Sequence, residues 1–387
     1  VKLLHTSDWH IGRTFHGSST LDAARTVLHA IADLARENKV DVVLVPGDVW
    51  DSTTPSAEAY RVLQEGFRLI RAAGAQLIVT SGNHDSAVRL GYQAEWAAAA
   101  GVHVITDPAR LSEPVILHDE HGPVAFFGVP YLEPLMIRHL EGADEVRTQR
   151  QALEWALERI RSTGAPGETR SVVLAHCFAA GLSDEIRESD FERDITAGGL
   201  DVVPVSCFEG TDYVALGHIH TRATLAPSVR YSGSPLHYSF TEAGLDRGAW
   251  LVELDAEGLH EVTWLTLPVP RQLAVLRGTL GELLGDASFA KHEDSWVKAV
   301  LIDPQRPLDA MRTLQQRFPH CAVLEYAPEG APASSSRTSP KLVRQLRDPL
   351  QVTLRYLEDV RGAEPSPEEV AILKRAVDEL TAERSAR

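Results

Sequence analysis

The chain has 387 residues, 44% apolar and 24% charged, with a formal net charge of −16. That length calls for one large domain with smaller additions. The acidic balance argues against free-standing nucleic-acid binding, where attraction to phosphate dominates affinity. No stretch approaches the roughly 20 apolar residues of a membrane span. The first ten residues lack a basic stretch followed by an apolar run, so no signal peptide is expected there. Three scattered cysteines, Cys177, Cys207 and Cys321, form neither a zinc pattern nor a disulfide framework. They fit a reducing, cytoplasmic setting.

In chain order, short apolar runs alternate with helical patterns. Lys2–Thr6 is apolar and runs into Asp8. Leu21–Asn38 has helical spacing. Val40–Val45 is β-branched and stops at Pro46, Gly47 and Asp48. Ser56–Ala73 is helical. Gln76–Thr80 stops at Ser81, Gly82, Asn83, His84 and Asp85, and Ala87–Ala100 then reads as a helix. Thr148–Arg161 is helical. Ser171–Ala175 stops at His176, and Asp212–Leu216 stops at Gly217, His218, Ile219 and His220. Continuous apolar runs of this length are buried strands. The fold class is α/β, with layered sheets flanked by helices.

Beyond Pro268 the pattern changes. Gln272–Leu276, Trp296–Ile302 and Ala322–Tyr326 read as strands, with a helix over Leu308–Phe318. This is a small α+β unit. Ala327–Pro340 is rich in Pro, Ser and Gly and reads as a linker. Two amphipathic helices follow. One starts at Asp348, with Pro349 at the first helical position, Gln351 as capping partner and a stripe of Leu350, Leu354 and Leu357. The other starts at Ser366 with Pro367 and Glu369, and carries Val370, Leu373, Val377 and Leu380. The expected boundaries are 1–267 for the main domain, 268–327 for a capping domain, 328–345 for the linker and 346–387 for a helix pair.

Five apolar runs end in clusters of Gly, Asp, His or Asn. Ligands of α/β sheets bind beyond the carboxyl ends of strands, so these distant clusters can meet. Asp8, His10, Asp48, Asn83, His176, His218 and His220 together offer carboxylate, amide oxygen and imidazole without thiolate. That mixture suits Mn²⁺, with Fe²⁺ or Zn²⁺ as alternatives. Seven ligands exceed one ion and suit two sharing a carboxylate, a pair able to activate water and clamp a phosphate ester. Taken singly, a D-x-H triplet or a Gly-Asp turn is commonly surface structure. All the clusters in this order, each at a strand end, are hard to explain that way.

The order D-x-H, G-D-x-x-D, G-N-H-D, H, G-H-x-H resembles the calcineurin-like metallophosphoesterase superfamily. His5–Gly12 with Arg13, and Tyr231–Phe240 with its Gly-Ser-Pro element, resemble the bacterial SbcD family of nuclease subunits. The motifs run from residue 5 to about 242. The later parts agree in order, as a capping domain and then a helix pair. The resemblance implies that Asp8, His10, Asp48 and His220 hold one metal. It implies that Asp48, Asn83, His176 and His218 hold the other, with Asp48 bridging. It makes His84 the group that faces the phosphate and protonates the leaving oxygen, and Asp85 a support for that loop. Archaeal and eukaryotic relatives have a histidine where this chain has Asp51. The wider superfamily has Asp there, paired with the histidine of G-N-H, so Asp51 is expected to orient His84. A helix-start role for Asp51 is the alternative.

The implied activity is 3′-to-5′ exonuclease action on double-stranded DNA ends and endonuclease action on single strands or hairpins, in DNA end processing and repair. The implied partner is an SbcC-type coiled-coil ATPase docked on the C-terminal helices. The implied assembly is a homodimer through Ser56–Ala73 and Ala87–Ala100, located with the nucleoid. Arg13, His16 and Arg89 sit near the ligand clusters and can reach backbone phosphates, although each taken alone reads more readily as solvated surface than as a contact. A phosphodiesterase or phosphatase for small substrates is the rival reading, and the acidic charge favours it.

Overall fold

The computed structural model describes residues 1–164, 169–180, 202–328, 348–361 and 364–385. They fall into two compact units, Val1–Gln272 and Leu273–Arg387.

The first unit is built on two six-stranded sheets. One runs in the order Gly258–Thr266, Gly248–Asp255, Lys2–His5, Val42–Pro46, Gln76–Thr80, Val102–Ile105. Its last four strands are parallel, and Gly248–Asp255 pairs antiparallel with both its neighbours. The other runs Ala223–Ala226, Val229–Tyr231, Tyr213–Gly217, Arg170–His176, Gly122–Val129, Val115–Asp119. Its four central strands are parallel and its two edges antiparallel.

Alternation along the strands explains the layers. Leu3, Val42, Leu44 and Ile78 of the first sheet share one core with Phe126, Val172, Leu174 and Ala215 of the second. Their neighbours Leu4, Val43 and Val45 point the other way, onto Val27 and Ile31 of the helix Leu21–Glu37 and Val62 and Ile70 of Ala57–Ala72. Val173 and Ala175 likewise meet Leu153 and Leu157 of Gln149–Arg161. The order is helix, sheet, sheet, helix. Both faces of each central strand are buried, which is why the strands read as unbroken apolar runs. Burying each such side chain contributes about 1.5–3 kcal/mol.

Polar groups also tie the sheets together. Fully buried His5 takes the Tyr213 hydroxyl at Nδ1, 2.9 Å away, and lies 3.1 Å from the Leu216 carbonyl through Nε2. Burial lowers its pKa to about 3, so it is a neutral strut.

The expected helix Ala87–Ala100 is two short ones, Ala87–Leu90 and Ala94–Ala99. Gly91 caps the first, and Gln93 turns left-handed at φ 63°. Only Leu90 of the first is buried, so no continuous apolar face holds one longer helix together.

The second unit has a parallel sheet of Leu273–Gly278, Trp296–Leu301 and Cys321–Tyr326. Leu283 from the helix Leu280–Gly285, and Leu314 from Ala310–Arg317, pack with Leu276, Val297, Leu301 and Phe318. The helix Leu280–Gly285 escaped the sequence reading, although a Thr279–Glu282 capping box marks its start. Residues 329–345 of the expected linker and 346–347 of the expected helix pair lie outside the described residues.

Helices Pro349–Arg361 and Pro367–Ser385 start where the caps place them. Leu350 N–H donates to Asp348 Oδ1 at 3.0 Å. Ser366 and Glu369 cap one another, at 2.9 and 3.3 Å. Leu350, Leu354, Leu357, Val370, Leu373 and Val377 are half-buried, and the side chain of Leu380 lies outside the described residues. No helix among the described residues is long and apolar enough to cross a membrane.

Candidate metal centre

All five clusters follow the carboxyl ends of parallel strands, three in the first sheet and two in the second. The sheets come close together there. A Cβ on Gly217 would lie 1.8 Å from the Pro46 carbonyl and one on Gly47 2.2 Å from His176 Nδ1, while within the first sheet one on Gly82 would lie 2.0 Å from Asp48 Oδ1. Only hydrogen fits at these three positions. The turns are also strained. Asp8, His10, Asp48 and His218 all have positive φ, at 53°, 41°, 47° and 106°. Four non-glycine residues in that region, all in the predicted ligand set, mark a place where function holds the backbone against preference.

Asp8, His10, Asp48, His176 and His220 are buried, while Asn83, His84 and His218 are partly open. His10 Nε2 lies 3.1 Å from His220 Nε2 and 3.6 Å from Asp48 Oδ2. His176 Nε2 lies 2.9 Å from Asn83 Oδ1 and 3.4 Å from Asp48 Oδ2, and His218 Nδ1 lies 3.1 Å from Asn83 Oδ1. Three overlapping groups can each hold an ion: Asp8, His10 and His220; Asp8, Asp48 and His176; His10, Asp48 and His84. Asp48 occurs in two of them.

The donor chemistry fits cations. His176 Nδ1 faces the Pro46 carbonyl at 2.9 Å, and an acceptor there requires N–H at Nδ1. Its Nε2 then presents a lone pair toward two oxygens. Lone pairs aimed at one point need a positive charge between them. Without an ion, protons fill that need. Burial opposes it, yet Asp48 and Asp8 raise His176 to about 9. Asp48, despite its burial, is held well below the usual carboxylate range by His176, His10 and His84. Burial pushes Asp8 up to about 6, with His176 opposing and Asp48 adding to the rise.

Several supporting residues escaped the sequence reading. Ser7 donates to Asp8 Oδ2 at 2.6 Å and meets Ser232 Oγ at 2.8 Å. His218 N–H also donates to Asp8, at 2.9 Å. Ser232, immediately before the Gly-Ser-Pro element, therefore braces the first ligand through Ser7. Gly233, at φ 73°, leaves no room for a Cβ beside the His220 carbonyl, 2.6 Å away. Glu242 is buried and ion-paired to Arg247, which donates to the His220 carbonyl at 2.5 Å. A buried Glu–Arg pair beyond the last motif carries no sequence signature.

Asp85 ties backbone together. Its carboxylate accepts the N–H groups of Val49, Trp50 and Gly82 at 3.1, 2.9 and 2.9 Å. It thereby joins the Asp48 turn to the Asn83 turn and faces backbone, away from reacting atoms. His84 donates its main-chain N–H to Asp48 Oδ1 at 2.9 Å.

Asp51 departs from the expectation. Its main-chain carbonyl, 3.1 Å from His84 Nδ1, is the part that meets His84. Its carboxylate turns to His10 Nδ1 and Arg13 Nη1, each 3.3 Å away. Left-handed Asp48 sets the course of this loop, which sequence alone does not reveal. Of the DNA-contact candidates, Arg13 is half-buried over the Tyr238 ring, 4.7 Å from its centroid. His16 is exposed between the rings of Phe15 and Phe240. Arg89 is exposed and donates to the Thr53 carbonyl at 2.7 Å.

The family profile described as Calcineurin-like phosphoesterase matches residues 1–222. A second, SbcD_C, described as Type 5 capsule protein repressor C-terminal domain, matches residues 269–361. Among solved structures, TT1561 of Thermus thermophilus shares 14% identity over 68% of this chain and 98% of that one, with a TM-score of 0.39. A dimetal phosphatase from Danio rerio shares 13% over 69% and 99%, TM-score 0.40. GAP50, the anchor in the inner membrane complex of Plasmodium, shares 11% over 86% and 98%, TM-score 0.42. With one profile spanning more than half its length and the other following it, the chain belongs to the calcineurin-like metallophosphoesterase family, with the domain order of an SbcD-type subunit.

Proposed function

We propose that the chain is a two-metal DNA nuclease subunit that works with an SbcC-type coiled-coil ATPase. The observation that carries the reading is the convergence of seven nitrogen- and oxygen-donor residues around shared Asp48. Asp8, His10, Asp48 and His220 hold one ion; Asp48, Asn83, His176 and His218 hold the other. Mn²⁺ suits this thiolate-free set. Two such ions supply Lewis-acid polarisation of a phosphoryl oxygen and activation of the attacking water.

The residues do the rest. Asp8 and Asp48 bring negative charge that the ions balance. His176, tied to the Pro46 carbonyl, is fixed in the tautomer that leaves Nε2 for an ion. His84 is partly open and keeps its proton at Nδ1, on the Asp51 carbonyl. Its Nε2 is then the atom that takes and gives a proton. Protonated there, it donates to the 3′ oxygen as that oxygen leaves. Arg13, His16 and Arg89 hold backbone phosphates on either side.

The substrate assignment is supported by the SbcD_C match and by the Tyr231–Phe240 stretch with its Gly-Ser-Pro element. It gives 3′-to-5′ exonuclease action on duplex ends and endonuclease action on single strands and hairpins, in DNA repair. The helix pair 349–385 docks on the ATPase as helices in a groove. Exposed Tyr60, Val88, Tyr92 and Trp96 on and beside the helices Ala57–Ala72 and Ala94–Ala99 suit a homodimer face. The net charge of −16 favours the rival reading, a phosphodiesterase for small substrates.

Cleavage of end-labelled duplex and hairpin DNA with Mn²⁺ separates the two. The nuclease reading expects cleavage by the protein and its loss in His84→Gln with both metals retained. Hydrolysis of cyclic nucleotides or nitrophenyl phosphates, with no DNA cleavage even with the ATPase and ATP, would establish the rival.

A further inference from the structure

We infer that Tyr131 is a substrate-positioning residue, whose hydroxyl donates to the phosphate next to the one being cut. The inference rests on the nuclease reading above and deepens it. Gly122–Val129 is a further parallel strand directed at the centre. It pairs with Arg170–His176, and Val129 stands opposite Ala175. Its carboxyl end therefore lies beside His176, and Pro130 and Tyr131 follow it. Two ties fix Tyr131 there. Its main-chain N–H donates to the Ser81 carbonyl at 2.8 Å, two residues before Asn83. Its ring stands edge-on to His176, with centroids 6.3 Å apart. The residue thus bridges Asn83 and His176, two ligands that the reading gives to one ion. Buried Leu132, Pro134 and Ile137 hold the loop from behind, while Tyr131 itself is half-buried.

The hydroxyl is oriented as well. Gln149, the first residue of the helix Gln149–Arg161, donates to it from Nε2 at 2.9 Å. A hydroxyl that accepts there turns its own hydrogen elsewhere. Among the described residues it donates to no protein acceptor. A phenol ionises only near about pH 10, so this group remains an O–H donor in the working range and suits an anionic oxygen. The ring stands beside the ligands and not among them. The acceptor it fits is therefore a neighbouring phosphate of a nucleic-acid strand, away from the phosphate held at the ions. A small phosphodiester has no such second phosphate. The rival account of this hydroxyl is a purely structural pin between the loop and the helix, and the two differ in what Tyr131→Phe does.

The test uses the full chain, with the ATPase and ATP present for DNA cleavage. Tyr131→Phe, which keeps the ring, is compared with wild type in Mn²⁺ binding, thermal melting, hydrolysis of bis(p-nitrophenyl) phosphate and cleavage of a DNA oligonucleotide. Mn²⁺ binding and nitrophenyl hydrolysis should be unchanged. KM for DNA should rise about tenfold or more at nearly constant kcat, the mark of a contact made equally in the ground and transition states. Oligonucleotides with one neutral methylphosphonate on either side of the cut then locate the contact. At one of these positions the wild type should lose more in KM than Tyr131→Phe does, because the variant has already lost that bond. An unchanged KM for DNA in Tyr131→Phe, with or without a lower melting temperature, would overturn the inference and leave the structural pin. So would an equal loss on the nitrophenyl ester, or methylphosphonate losses identical in both proteins at both positions. A wild type that hydrolyses the nitrophenyl ester but never DNA would instead overturn the nuclease reading, and the inference with it.

Discussion

Gly217→Ala should open the junction of the two sheets and disable the metal centre without touching a ligand. Its added carbon would lie 1.8 Å from the Pro46 carbonyl oxygen and 3.0 Å from His176 Nδ1. The first of these distances is far below contact, so the strands must part by about 1 Å at the Val42–Pro46 and Tyr213–Gly217 ends. The hydrogen bond from His176 to Pro46 stretches with them. Overpacking a rigid interior costs about 1–3 kcal/mol, and a lost hydrogen bond adds about 1 kcal/mol. A total near 3 kcal/mol corresponds to a fall in Tm of roughly 6–12 °C for a unit this size. Displaced His176 should also weaken Mn²⁺ binding about tenfold or more. The assay is thermal melting in EDTA, then with Mn²⁺. Gly281→Ala is the control, because nothing lies within 4 Å of its added carbon. A Gly217→Ala protein that melts and binds Mn²⁺ like wild type would refute the idea that this contact sets the site.

Further outcomes follow from the same geometry. In EDTA, stability should fall as pH rises from about 6.5 through 9. Folded His176 holds its proton up to about 9, whereas an unfolded histidine loses it near 6.5. Asp8, raised to about 6, acts in the same direction between about 4 and 6. Mn²⁺ replaces the proton, so the rise in Tm on adding it should be larger at pH 9 than at pH 6, and an equal rise would contradict the assignment. Asp85→Ala should destabilise the fold by more than about 3 kcal/mol, because it leaves three buried N–H groups unpaired, and a denaturant titration reads this directly. Leu373→Asp, on the half-buried stripe of the last helix, should abolish capture of the ATPase yet leave nitrophenyl hydrolysis intact. Loss of both activities together would place that helix in the folded core instead.

The strand ends were legible because buried parallel strands are apolar on both faces, and a polar cluster after each one stands out. Asp8, Asp48, Asn83 and the four histidines could therefore be collected before any contact was known. The antiparallel edges, such as Val115–Asp119 and Gly258–Thr266, were not legible. They are half-exposed and mix apolar with polar residues, which weakens the run signal. Support at longer range was also hidden. Ser232 lies 225 residues from Ser7 in sequence yet touches it, and Glu242 gains meaning only through Arg247. Asp51 shows the limit most clearly. The residue was found by its place in a motif, but which of two histidines its carboxylate faces depends on the turn made at Asp48.

The central claim is that shared Asp48 holds two ions, and the most direct measurement is the number of Mn²⁺ bound per chain, by calorimetry and elemental analysis. Wild type should bind two, and Asp48→Asn should lose both together while staying folded. One ion or none in the wild type, or two ions still bound tightly by Asp48→Asn, would contradict the account.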